Sequence, residues 1–281
     1  MKLVSSAKLR KAQQAVETMR PYQYELEKIL ALLASVDAAP ASAAAGKTAI
    51  VAIASNSSLC GAFNGNVVRK VQSLIDSLGS DKVELVAIGR KVAEPLRKSG
   101  AGRPLTSATA TLGPAQKTAS AAAGPAAAPA SVDLNRLVAH PDYATAQALA
   151  DGLLAACAEG RYSQVLLVYN HFVSTGSQKV VVESLLGATG QGLATPASEA
   201  FILEPGREEI LRDLVPQVRR LKLFAAILDS IAAEHAARMI AMQAASDNAE
   251  DLLAELSLEY NKGRQAKITA EILDLVGGAQ Q

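Results

Sequence analysis

Apolar residues recur at steps of three and four over the last third of the chain. From about Pro216 to Val276 no further proline occurs, and the first glycine met is Gly263. The pattern predicts one helix of about 60 residues, about 90 Å long at the ~1.5 Å rise of an α-helix. Globular helices usually run about 8–20 residues, so this length implies a coiled coil, a stalk or a membrane span. Charges recur along it (Arg219, Arg220, Lys222, Glu234, Arg238, Asp247, Glu250, Asp251, Lys262, Glu271), which excludes a span. Counting from Leu221, the seam reads Leu221, Phe224, Leu228, Ile231, His235, Arg238, Met242, Ala245, Ala249, Leu252 and Leu256. Its ends are good coiled-coil positions; its middle is thin and rich in alanine. An apolar stripe needs a partner.

The other end of the chain supplies one. Leu9, Ala12, Val16, Met19, Leu26, Leu30 and Leu33 keep the same spacing, with Gln23 in the remaining place. Pro21 is expected to kink or restart this helix, because it lacks an N–H and crowds the preceding turn. The first turns are basic (Lys2, Lys8, Arg10, Lys11), with no acid before Glu17. Basic residues at a helix start oppose the macrodipole. Two readings stand: a solvated face, or contact with an acidic partner surface.

Between the two helices, periodicity changes. Thr48–Ala54, Val83–Ile88, Gln164–Tyr169 and Lys179–Glu183 are short β-branched runs. Helical stretches near Asn64–Leu78, Lys91–Lys98 and Tyr143–Glu159 separate the first three. Such alternation predicts an α/β fold with a parallel sheet covered by helices. The last two strands, joined by a short connection, are expected to form a hairpin at the sheet edge. The stretch 106–131 is nearly all Ala, Thr, Ser, Pro and Gly, and reads as a flexible insertion. The expected division is an N-terminal helix at 1–39, an α/β domain at 47–205 and a C-terminal helix at 206–281.

Composition narrows the chemistry. The net charge of +1 and the lack of a basic patch interleaved with aromatics give no reason to expect nucleic-acid binding. Cys60 and Cys157 are too few for a disulfide framework and fit core packing in a reducing compartment. No direct membrane insertion is expected. Ala41–Thr48 ends like a phosphate loop, but Ala41 replaces the first glycine and the run precedes its strand. Leu59–Gly65 follows a strand and opens a helix, yet lacks the G-x-G-x-x-G spacing, so Gly61 reads as a tight-turn residue. His140, His171 and His235 have no metal-ligand spacing, and no cofactor or catalytic residue is expected. The chain reads as a binding or force-transmitting element.

Two long runs carry a resemblance. Glu234-His235-Ala236-Ala237-Arg238-Met239-Ile240-Ala241-Met242, followed by Ala244–Ala249, closely resembles the gamma subunit of F-type ATP synthases. So does Tyr260–Ile272 (YNKGRQAKITAEI), leading to Gly277-Gly278-Ala279. Ser5–Gln13 and Phe201–Pro205 also match, and Ser55–Asn64 resembles a degraded form of the family's strand-turn motif. The resemblance covers Met1 to Ala279 apart from roughly Ala101–Ala139. It implies a Rossmann-like central α/β domain, with the terminal helices forming an antiparallel coiled coil. It implies a central rotor shaft inside a ring of alpha and beta subunits, standing on the epsilon subunit and the membrane c-ring. In that setting proton flow turns the shaft, the catalytic sites belong to the beta subunits, and the complex sits peripherally on the cytoplasmic face of the bacterial inner membrane. The thin alanine seam would then let the shaft touch its bearing without sticking.

By the same resemblance, Arg264 and Gln265 match a pair that contacts a loop of one beta subunit. Thr269 and Glu271 match neighbours in the same coupling, and Arg238 a further coupling arginine. Glu204 matches an acidic residue near the rotor-ring loops, and Lys8, Arg10 and Lys11 a basic stretch facing acidic segments of beta. Local readings stand beside these: Thr269 bonding a carbonyl in its own helix, and Glu271 pairing with Lys267. The chain also departs from the pattern. Members normally begin one to two dozen residues earlier, so Met1 is expected to be an internal methionine of a longer chain. Asn56, Ser57 and Ser58 replace the usual acidic, basic and glycine residues. The alternatives to a rotor are a coiled-coil scaffold or assembly protein, and an enzyme built on the α/β domain.

Overall fold

The computed structural model describes residues 2–34, 46–98, 134–186 and 206–278. In chain order these hold α1 (Lys2–Ala34), β1 (Lys47–Ile53), α2 (Phe63–Leu78), β2 (Val83–Ile88) and α3 (Arg90–Lys98). Then come α4 (Leu134–Ala139), α5 (Tyr143–Ala158), β3 (Tyr162–Ser174), β4 (Ser177–Ser184) and α6 (Arg207–Gly278). The four strands form one sheet in the order β2-β1-β3-β4. β1 runs parallel to β2 and β3, and β4 closes the edge as an antiparallel hairpin with β3.

Alternation along the strands sorts two cores. Ile50, Ala52, Leu85 and Ala87 face α2 and α3, packing on Val67, Val71, Ile75, Val92 and Leu96. Ala49, Val51, Ile53, Val86, Ile88, Val165 and Leu167 face the other way, onto Leu149 and Leu153 of α5 and Leu223 and Ile227 of α6. A strand buried on both faces must be apolar throughout, and β1 from Ile50 to Ile53 is. α5 is capped by Asp142, whose carboxylate accepts the Thr145 N–H at 3.2 Å.

α1 and α6 run antiparallel: the Arg207 guanidinium at the start of α6 donates to the Leu33 carbonyl near the end of α1. Every seam position of α1 from Leu9 to Leu33 is buried or half-buried. Two expectations need correction. Pro21 does not restart α1, which continues through it. The carbonyl four residues back belongs to exposed Glu17, so water can satisfy it. Likewise α6 does not begin near Pro216 but at Arg207, and its 72 residues make it about 108 Å long. Pro216 lies in an early turn, and the carbonyl it leaves free is on exposed Arg212. Both 106–131 and Glu204 lie outside the described residues.

Candidate functional site

The long helix changes character along its length. Residues 226–234 are all buried, because this stretch is clasped by α1 on one side and the sheet on the other. A single three-four stripe therefore understates the buried surface. From Ala244 to Leu273 every residue is exposed, including Leu252, Leu253, Leu256 and Tyr260. The upper helix is a bare rod carrying apolar side chains; the lower helix is set into a socket.

Polar ties lock the socket. Asp229 grips the end of β3 twice: Oδ2 lies 2.5 Å from His171 Nδ1, and Oδ1 accepts the Phe172 N–H at 3.3 Å. β1 pairs with β3 only as far as Val168, so no ladder from β1 reaches Phe172. Burial pushes the Asp229 carboxyl up, opposed by His171, the Phe172 amide and Arg20. Arg220 donates to Asp151 of α5 at 2.5 Å, and Lys222 to the Ser184 carbonyl of β4 at 3.0 Å. Beside these ties a groove of about 430 Å³ opens between α1, the hairpin and α6, with Arg20, Tyr24, His171, Lys222 and Asp229 among its walls.

The turn after β1 forms the upper rim. Ser55, wholly buried, donates its N–H to Asn64 Oδ1 at 3.1 Å, while Asn64 Nδ2 reaches Cys60 Sγ at 3.1 Å. Asn56 ties the turn to its neighbours, accepting the Arg90 N–H and donating to the Asn135 carbonyl. Gly61 has φ +57°, as a tight turn needs, and exposed Leu59 is also left-handed at +67°. Gly89 is demanded more strictly: at φ +103°, a Cβ would sit 2.1 Å from the Ala54 carbonyl oxygen.

Arg238 meets this rim. Its guanidinium donates to Ser57 Oγ at 2.7 Å and pairs with Glu234 at 2.7 Å, one turn down the helix. Glu234 is buried, and burial pushes its carboxyl up despite Arg238 and nearby Lys8. Neighbouring His235 is pushed down to about 4, first by burial and then by Arg238 and Lys8, and its buried Nδ1 has no partner among the described residues. Arg238 thus acts within this chain as a strut from the helix to the turn.

The other residues singled out in the sequence divide into two groups. Lys8, Arg10 and Lys11 lie exposed on α1, and Arg264, Gln265, Thr269 and Glu271 lie exposed near the far end of α6, so the two sets are not brought together. The Thr269 hydroxyl donates to the Gln265 carbonyl at 2.8 Å, the local reading of that residue. Among the described residues Glu271 forms no ion pair with Lys267. The sequence reading missed the Asp229 tie entirely. An acidic residue inside the apolar run LFAAILDSIAAEHAARM was the available signal, since such a residue needs a partner when buried.

An α/β domain clasping the lower half of one very long helix, with a second terminal helix laid antiparallel, defines a stalk subunit. The sequence profile described as ATP synthase matches residues 1–281. An ATP synthase gamma chain of Phocaeicola vulgatus is 39% identical over 294 residues, which cover 99% of this chain and 91% of that one. One from Bacteroides thetaiotaomicron is 36% identical over 302 residues, covering 100% and 92%. The central stalk of the Tetrahymena thermophila mitochondrial ATP synthase shares the fold, with a TM-score of 0.57 at 22% identity over 88% of this chain and 97% of that one. The chain belongs to the ATP synthase gamma family. A rotorless scaffold and a free-standing α/β enzyme are not favoured by matches of this extent.

Proposed function

We propose that the chain is the central rotor shaft of an F-type ATP synthase, coupling proton flow through the membrane c-ring to ATP synthesis and hydrolysis on the alpha–beta hexamer. The observation that carries this reading is α6: one helix locked into a domain below and bare above. In this reading the α/β domain at 47–205, with Glu204, faces the epsilon subunit and the c-ring. The exposed upper helix enters the ring, with Arg264, Gln265, Thr269 and Glu271 against a beta subunit loop. Lys8, Arg10 and Lys11, free of acidic neighbours on their own turns, face acidic segments of beta. Arg238 supports the coupling surface through the turn at Ser57. Peripheral attachment at the cytoplasmic face of the membrane follows from those partners. Among the described residues no helix is long and apolar enough to cross a membrane.

Reconstitution with alpha and beta subunits tests the reading. The complex is expected to hydrolyse ATP steadily, and Arg264→Ala with Gln265→Ala to slow coupled turnover at least about tenfold, the effect of losing ~1.4 kcal/mol of contact in a rate-limiting state. A chain that never joins the hexamer would sink the proposal. The alanine seam has its own test. If Ala245→Leu with Ala249→Leu leaves coupled turnover unchanged, the low-adhesion role of those residues is wrong.

A further inference from the structure

We infer that Leu59, in the turn after β1, is an apolar contact held out toward the alpha–beta hexamer at the level where α6 leaves its socket. The inference rests on the rotor reading and names one residue of the surface that reading needs. Leu59 has φ +67° and is 63% exposed. At such a backbone angle a Cβ crowds the following carbonyl, so glycine is the residue that fits without strain. Two residues on, the same turn does place a glycine, Gly61 at φ +57°. An exposed leucine is ordinary, but an exposed leucine in glycine's conformation strains the free chain and gains no burial in return. Strain kept in this way clusters at functional surfaces.

Buried polar groups fix the turn in that shape. Ser55 is wholly buried; its N–H goes to Asn64 Oδ1 at 3.1 Å and its hydroxyl to the Ser57 carbonyl at 2.6 Å. Asn64 Nδ2 donates to Cys60 Sγ at 3.1 Å, and Asn56 fastens the turn to Arg90 and Asn135. Cys60 and Phe63 pack with Ala233 of α6, and Arg238 reaches Ser57. The turn is thus seated on residues 233–238, just below Ala244, from which every residue to Leu273 is exposed. A ring that encloses the bare rod ends against this shoulder. The other exposed residues of the turn, Ser57, Ser58, Gly61 and Ala62, are small and uncharged, so Leu59 is the one large side chain it presents. The charges nearby are cationic. Lys8 lies near the same Glu234 that Arg238 pairs with, and Arg10, Lys11 and Arg90 are exposed. The surface that fits is an apolar residue of the hexamer flanked by carboxylates.

Two substitutions separate strain from contact. In the free chain, Leu59→Gly is expected to raise the melting temperature by about 2–4 °C, because glycine adopts a positive φ freely. Leu59→Ala keeps a Cβ and should leave it within about 1 °C. In the complex reconstituted with alpha and beta subunits, both variants are expected to dissociate about tenfold faster than the wild type, the effect of losing ~1.4 kcal/mol of apolar contact. Leu59→Met keeps the apolar volume and should stay close to wild type. Variants that join the hexamer and leave as slowly as the wild type would overturn the contact while the rotor reading stands. A wild-type chain that never joins would overturn the rotor reading and this contact with it. A Leu59→Gly chain no more stable than the wild type would show that the turn holds no strain, and would also overturn the inference.

Discussion

The two halves of α6 are made of similar residues and live in opposite surroundings. Ile227 in the lower half is fully buried, while Leu256 in the upper half is 62% exposed. Both stretches are rich in alanine and leucine, so composition does not separate them. What separates them is the sheet, α1 and α5, which reach the helix only below residue 244. A buried apolar residue there contributes to the stability of the chain itself. An exposed one above contributes nothing until another surface covers it, and so marks where a partner is required.

The largest break in that comparison is expected from Leu223→Ala. It empties a fully buried position in the core under the sheet and should cost about 2–5 kcal/mol by thermal or urea unfolding. Arg238→Met comes next. It leaves buried Glu234 without its cation and should cost about 1–3 kcal/mol at neutral pH. The sign of its pH dependence follows from Glu234, whose folded-state carboxyl is raised by burial. Stability tied to that group is present at low pH and lost as pH rises, so the deficit of Arg238→Met should shrink on acidification. His235 runs the opposite way. With its folded value near 4 against an ordinary 6.5, the unfolded chain takes up the proton first. Stability should therefore decline from about pH 6.5 toward 4, and His235→Gln should flatten that part of the curve. Leu256→Ala is the smallest effect, within about 0.5 kcal/mol for the isolated chain.

Much of the fold is legible because its signals are local. β2 occupies Val83–Ile88 as the apolar run suggests, and the hairpin of β3 and β4 follows from their short connection. β3 is longer than its apolar stretch because Asn170 and His171 continue the strand with polar side chains: Asn170 donates to the Phe63 carbonyl, and His171 meets Asp229. Proline misled in both terminal helices, where the carbonyl that the ring leaves free belongs to an exposed residue, Glu17 or Arg212. The short α4 was not foreseen, since Leu134–Ala139 follows the low-complexity stretch and carries little periodicity of its own.

The site was less legible, for a different reason. Its ties join positions 58 and 181 residues apart, His171 to Asp229 and Ser57 to Arg238, and no spacing rule reaches that far. Glu234 and Arg238 are the exception. They stand four apart on one helix face, a pairing that helical geometry alone makes available. The exposed set at Arg264, Gln265, Thr269 and Glu271 came from resemblance, and the described residues lay no other element against those side chains by which to recognise them.

Hydrogen exchange along α6, with and without an alpha–beta hexamer, tests the central claim most directly. In the free chain protection should be high through residues 226–234 and drop sharply beyond about residue 244. Adding the hexamer should raise protection across 244–273 while leaving the lower half as it was. Uniform protection along α6 in the free chain, or an upper half that stays unprotected when the hexamer is present, would contradict a seated shaft with a bare end made for a ring.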